Sequence, residues 1–476
     1  MREDIRGGEA AARRLAEGAA LSDVLDAGDP MDWLALDAGT RSWSHWLPPE
    51  LLPTLGEVES RLPRPSGLPE ARLALALCHR DGRVRAAALG QAVRCPGLWP
   101  LVVVRTADWV LPVRERAREV LRAVLDLDAA VRLAPLILLG ARRDRGVFAV
   151  DLLDEVLRRS PRERLVPLFT DRAVRRYAYR LAVDERHFSP AELARAAAHD
   201  TDPVVQNLCA EAALAAVPDS DAAGAVDGGV LDALLGARGP RVRSAGVTAL
   251  RRAGQGERTE GFLGDRSALV RACARYVVRQ SGGDPRAWYR HRCATPGDPA
   301  LSPGAVAGLA ECGERADAEL LWPLLGHPAP GVRARAVAGL RTLDVTDVRR
   351  LRALLDDPEP GVVREVTLAL LPFARSLDTD RLAERLGDGS PRHARVAAFR
   401  LLDAHGGTAR LRAAVALLDD PDVRLRGRAA HSVRSWTPAP DAPRGSAEVG
   451  ELLGRAQHLL GESALRTLMW EAGVNR

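Results

Sequence analysis

The sequence predicts an all-α protein, an α-solenoid of about twelve antiparallel helix pairs, and three observations predict it. A short apolar motif returns about every 30 residues along most of the 476-residue chain, and recurrence at that period marks a stacked array of supersecondary units. Each interval holds two apolar patterns at helical spacing, so the unit is a helix, a tight turn and a second antiparallel helix. Hydrophobic residues make up 46% but aromatics only 4%. The interior must therefore be built from Ala, Leu and Val, which suits closely spaced helices better than a β-sandwich.

The residues that open the second helix of each unit run Val84, Val113, Val147, Val174, Val204, Val242, Val270, Ala305, Val332, Val362, His393 and Val423. Their intervals are 29, 34, 27, 30, 38, 28, 35, 27, 30, 31 and 30. Val147 and Ala305 are placed because a unit must fill each gap of about 60 residues. The motif reads clearly in Val84-Arg85-Ala86-Ala87-Ala88-Leu89, Val242-Arg243-Ser244-Ala245, Val270-Arg271-Ala272-Cys273 and Pro330-Gly331-Val332-Arg333-Ala334-Arg335-Ala336. Small residues let neighbouring helices approach closely, while Val and Leu at i, i+3, i+4 and i+7 form the buried stripe. No unit buries its apolar face alone, so stability is expected to be a sum of nearest-neighbour interfaces.

These stretches resemble the HEAT family of helical repeats, in particular the short bacterial form called HEAT-like or PBS-lyase-type repeats, over about Leu68 to Trp436. The motif is specific for a fold and not for an activity. Five residues before the marker stand Asp108, Asp265, Asp357 and Asp388 in four units and His79, His199 and His327 in three others. An Asp or His there would accept from the orphan N–H groups of the following helix. The resemblance implies that this Asp and the Arg six residues on (Asp108 and Arg114, Asp265 and Arg271), with Arg333 in the central unit, form a hydrogen-bond ladder between successive units. The three His belong to units far apart in the stack, so no metal is expected.

The ends and interruptions follow. Residues 1–66 lack the repeat: an opening helix of about Glu9 to Leu25 leads to a segment with Trp33, Trp43 and Trp46, read as an N-terminal cap. The array is assigned to 67–435, a Pro-rich linker to 436–446, and a C-terminal helical cap to 447–476. Loops are expected at Pro218 to Gly229, at Ala253 to Gly261, and from Ser281 to Pro299, the last holding Trp288. Six scattered cysteines without a C-x-x-C pair point to reduced, buried thiols. The N-terminus has no long apolar core and no window reaches about 18 uninterrupted apolar residues, so a soluble cytoplasmic protein is expected.

All 68 basic residues are Arg, since the chain has no Lys. That excludes a Walker lysine, a Schiff-base lysine and a protein-kinase lysine. Motifs of the zinc-protease, nucleophile-elbow and dinucleotide types do not occur, and no cofactor is expected. A formal charge of +5 permits a nucleic-acid partner without demanding one. The candidate binding residues are Trp109, Arg116, Arg118, Arg176, Trp288 and Arg335, among arginine groups at 114–122, 172–180 and 424–428. Such Arg could line one face of a solenoid. A resemblance to HEAT-like DNA glycosylases of the AlkD type rests on Asp108-Trp109 with Arg114 and Arg116 and extends no further. The bilin-lyase branch of the same repeats is another alternative, with no residues to mark a chromophore site. The favoured reading is a non-catalytic scaffold that binds a protein on an extended surface.

Overall fold

The computed structural model describes residues 2–43, 51–59, 68–142, 144–215, 228–387, 389–438 and 445–474. Among the described residues every regular element is helical. The chain forms two compact units, Met1–Ala216 and Val217–Arg476.

The first unit opens with α1 (Arg2–Ala16), α2 (Leu21–Val24), α3 (Pro30–Trp43) and α4 (Leu55–Glu59). Five helix pairs follow: α5 (Glu70–Leu77) with α6 (Gly82–Ala92), α7 (Trp99–Arg105) with α8 (Leu111–Val124), α9 (Leu127–Gly140) with α10 (Val147–Arg158), α11 (Arg162–Thr170) with α12 (Arg175–Asp184), and α13 (Pro190–His199) with α14 (Pro203–Ala215). One core runs from Ala11 in α1 to Leu181 in α12 and includes Trp33, which is fully buried. The opening helix begins at Arg2 rather than Glu9, and it ends at Ala16 rather than Leu25 because Gly18 takes φ 97° and turns the chain between α1 and α2. Helices α1 and α3 cross at glycines: a Cβ on Gly8 would lie 1.9 Å from the Ala35 carbonyl oxygen, and one on Gly39 2.1 Å from the Gly8 backbone. Trp46 lies outside the described residues, as does most of the Pro218 to Gly229 segment.

The second unit begins with α15 (Gly228–Leu235) and α16 (Pro240–Arg252), followed by a 3-10 helix at Gly256–Gly264 paired with α17 (Ala268–Gln280). Then come α18 (Pro285–Cys293) with α19 (Pro303–Cys312), α20 (Ala318–Leu321) and a 3-10 turn with α21 (Pro330–Thr342), and α22 (Val348–Arg352) and a 3-10 turn with α23 (Pro360–Leu370). The last pairs are α24 (Thr379–Glu384) with α25 (Arg392–His405) and α26 (Gly407–Ala416) with α27 (Val423–Arg434), before α28 (Ala447–Arg455) and α29 (Glu462–Glu471). First helices are often short or of 3-10 type, whereas second helices run longer and carry the core. In α21, Val332, Val337 and Leu340 are fully buried, each contributing about 1.5–3 kcal/mol of apolar transfer.

Two expected loops are helical. Residues 256–264 form the first helix of a pair, and Trp288 sits inside α18. The signal is local: Asp284 caps α18 by accepting from the N–H groups of Arg286 and Ala287, and Pro285 occupies the first helical position. A proline there loses no hydrogen bond and presets φ. The same device starts α14, α16, α19, α21 and α23.

Candidate functional site

The arginine near the start of the second helix, which directly follows the marker at Val84, Val113, Val242, Val270 and Val332 but stands two residues past His393 (Arg395) and three past Val423 (Arg426), does two separate things. Through Nη1 it donates to the carbonyl six residues back, at the end of the preceding helix: Arg85 to His79, Arg114 to Asp108, Arg243 to Ala237, Arg271 to Asp265, Arg333 to His327 and Arg426 to Asp420. This satisfies orphan carbonyls at the turn. The remaining edge of the guanidinium, Nε and Nη2, faces the neighbouring unit. There Arg85 meets Asp108 at 3.0 and 2.9 Å, Arg243 meets Asp265 at 3.0 and 2.9 Å, Arg333 meets Asp357 at 2.8 and 2.9 Å, and Arg395 meets Asp420 at 2.9 and 3.4 Å. Each pair is bidentate, the arrangement a planar guanidinium favours with a carboxylate.

The same carboxylates also cap the helix that follows them. Asp108 accepts from the Val110 N–H, Asp265 from Ser267, Asp357 from Glu359 and Asp420 from Asp422. Burial alone would raise the Asp357 carboxyl, but Arg333 and the Glu359 N–H outweigh it and hold it below the usual carboxylate value. His79 and His327 cap in the same way, their Nδ1 atoms accepting from Asp81 and Ala329. At His199 the structure differs by one residue: Asp200 is the capping group, accepting from Asp202. Asp388 lies outside the described residues.

One rung extends into a buried network. Asp108 also receives Arg105 Nη1 at 2.9 Å, and Arg105 and Arg41 both pair with Asp37 on α3. Arg85, Arg105, Asp37 and Asp108 are all nearly inaccessible. The sequence pattern did not reveal Asp37, Arg41 or Arg105, because none stands at a repeated position.

The ladder also has gaps, and they leave charge at the surface. After Arg114 the next turn, between α9 and α10, has Arg142 five residues before the marker Val147, and its acid, Asp144, is exposed. Among the described residues no carboxylate forms an ion pair with Arg114, Arg118 or Arg122, which lie four apart along α8. Arg118 donates Nε to the Thr106 carbonyl at 3.2 Å. The guanidinium carbons of Arg118 and Arg122 lie 4.7 and 4.6 Å from the centre of the Phe148 ring on α10. Partial burial, then the like charges of Arg114 and Arg122, lower the affinity of Arg118 for its proton, against a weaker opposing pull from Glu115. In the second unit Arg271 turns to Glu311 on α19, which also receives Arg275 at 2.7 Å.

Exposed apolar side chains recur at the starts of second helices. In the first unit these are Trp109 (67% exposed), Leu111 (51%), Val147 (61%) and Val204 (42%). Leu269 and Val423 take the corresponding places in the second unit. Each falls within two residues of the start of a second helix; Trp109 is among the sequence candidates, whereas Val147, Val204 and Val423 stand in the marker series, and in those three helices the buried positions are Ala149, Val205 and Leu425 instead.

The other candidate residues are dispersed. Arg116 is exposed and pairs with Glu119 on its own helix at 2.9 Å. Arg176 pairs with Asp202 at 2.8 Å. Trp288 is half-buried and stands edge-on to Tyr289, with ring centres 5.2 Å apart. Arg335 is exposed on α21. The six cysteines are unpaired; burial pushes the Cys209 and Cys293 thiols up to about 12, which makes them poor nucleophiles at neutral pH. Among the described residues no cluster of metal-ligating side chains is found, and no helix is long and apolar enough to cross a membrane.

No protein-family model matches the chain, and no curated protein does. Solved structures do match at low similarity. A microtubule polymerase with tumor overexpressed gene (TOG) domain arrays, studied for tubulin recruitment and assembly, is 12% identical over 75% of this chain and 98% of its own, with a TM-score of 0.23. Kap121p is 11% identical over 94% of this chain and 54% of its own, with a TM-score of 0.28. Importin beta is 11% identical over 98% of this chain and 63% of its own, with a TM-score of 0.24. None of these supports a residue-by-residue correspondence.

Proposed function

We propose that the protein is a non-catalytic scaffold of short HEAT-like repeats that binds a polypeptide partner along the edge formed by its interhelical turns. The observation that carries this reading is the recurrence of Trp109, Leu111, Val147 and Val204 as large apolar side chains left exposed at the turns of the first unit. Such residues at three of the five interhelical turns of the first unit give an extended contact surface, and a solvent-exposed Trp is a favoured anchor in protein interfaces. In this reading residues 1–66 and 447–476 close the ends of the array, and Trp288 and Arg335 belong to its variable surface.

The test is affinity capture from the native host with the wild-type chain and with Trp109→Ala combined with Leu111→Ser. The expected result is a reproducible protein partner that the double variant loses while its helical content is unchanged. Recovery of nucleic acid alone overturns the reading, as does full retention of the partner by the variant.

A further inference from the structure

We propose that the α8 stripe of Arg114, Arg118 and Arg122 is a docking site for an acidic peptide whose carboxylates alternate along an extended strand. The proposal deepens the scaffold reading and rests on it, since it supplies the chemistry of the partner at one place in the first unit.

The argument starts from the ladder. Arg85, Arg243, Arg333 and Arg395 each hold a carboxylate in the Nε and Nη2 edge of the guanidinium. Arg114 stands in the same register, anchored by the same Nη1 bond to the carbonyl six residues back. Its outer edge meets no carboxylate among the described residues: the acid of the next turn, Asp144, is exposed and does not pair with it. A position built to present an arginine edge to Asp or Glu is thus open to an acid from another chain.

Arg118 and Arg122 extend this position into a line. Residues four apart on a helix are displaced by about 6 Å along its axis, so the three arginines leave the helix at steps of about that length. Alternate side chains of an extended peptide project from one face at about 6.7 Å intervals. An acid at every second residue therefore matches the stripe. Phe148 beneath Arg118 and Arg122 and the Thr106 carbonyl at Arg118 hold two of the three side chains in place, which reduces the ordering cost of binding. Glu115 and Glu119 share the helix, but Glu119 is taken by Arg116.

A nucleic-acid strand also presents anions at regular spacing, but it needs ring faces on which bases stack, and Phe148 is already covered by two guanidiniums. The carboxylate is favoured because this chain shows the arginine edge taking carboxylates at four equivalent positions.

The experiment measures fluorescence anisotropy of a labelled alternating Glu-Ala peptide titrated with the full chain, competed by unlabelled oligothymidylate of equal length. Binding that weakens with added salt is expected, and Arg118→Gln with Arg122→Gln should weaken it at least about tenfold, the loss of roughly one charge-assisted hydrogen bond. Arg114→Gln is measured separately, with circular dichroism on every variant, because its Nη1 bond also supports the turn. Arg364→Gln, at an exposed position on α23, should change nothing. Absence of peptide binding, or equal binding by the double variant, overturns the proposal; so does oligothymidylate that displaces the peptide and binds more tightly. A captured partner that depends on Trp109 but not on Arg118 and Arg122 leaves the turn-edge reading intact and removes this one.

Discussion

Asp108 gathers four donated hydrogen bonds in the core of the first unit. It accepts two bonds from Arg85, one from Arg105 and one from the Val110 N–H, and both arginines are 1% exposed. Removing one partner of a buried ion pair leaves the other charge without compensation, at a cost of about 3–5 kcal/mol. Asp108→Ala should therefore lower the urea midpoint markedly. Asp356 also holds a bidentate arginine, Arg385, but its side chain is 62% exposed, and Asp356→Ala should cost under about 1 kcal/mol. Equal shifts in the two variants would refute the assignment of stability to burial rather than to pairing. A second residue-scale contact is steric. A Cβ on Gly308 would stand 2.2 Å from the ring of Tyr289, whose hydroxyl donates to the Leu263 carbonyl at 2.9 Å. Gly308→Ala should cost about 1–3 kcal/mol by overpacking, and thermal melts should show a smaller penalty when the methyl is added in a Tyr289→Leu background.

At the scale of elements, α13 shows how a helix start is tied both to itself and to the preceding pair. Ser189 accepts from the Glu192 N–H, Glu192 accepts from the Ser189 N–H, and Arg162 of α11 pairs with the same carboxylate at 2.9 Å. The Ser189 backbone bond first, then Arg162, holds the Glu192 carboxyl down at about 2. A depressed carboxylate adds stability that is complete above its ordinary value near 4.5 and fades as pH falls towards about 2. Hydrogen exchange across α13 should thus be slower in wild type than in Glu192→Gln at neutral pH, with the difference shrinking between those two values. A difference that persists unchanged to pH 2 would show that charge is not what stabilises this start. The second helices were legible because V-R-A and a preceding Pro or Asp recur at their openings, as at Pro330 and Asp422. The first helices were less so, since two of them are α-helices of four and five residues followed by 3-10 turns of four, too short to show a 3.6-residue period. The sequence places Trp288 in a loop because Gly282-Gly283-Asp284-Pro285 is loop-like punctuation, although Asp284-Pro285 is equally the start of α18.

For the whole molecule, the fold class and the number of helix pairs could be read from the period, while the surface chemistry could be read only in part. Which arginine finds a carboxylate depends on the turn of the next unit, about 25 residues away, as with Arg395 and Asp420. Arg271 shows how such a register is lost: an irregular 294–302 connection precedes α19, and the partner becomes Glu311, 40 residues on. The same dependence on neighbours sets the energetics. In a stack where each pair touches chiefly the adjacent ones, damage to one interface spreads by nearest-neighbour coupling and declines with distance. Asp357 joins α21 to the turn before α23 through Arg333. Asp357→Ala should raise amide exchange most in α21 and α23, less in α19 and α25, and least in α16 and α17 within the same unit, when followed by mass spectrometry at pH 7. A uniform rise across the second unit would mean that it opens as one cooperative block, and the additive description of its stability would fail.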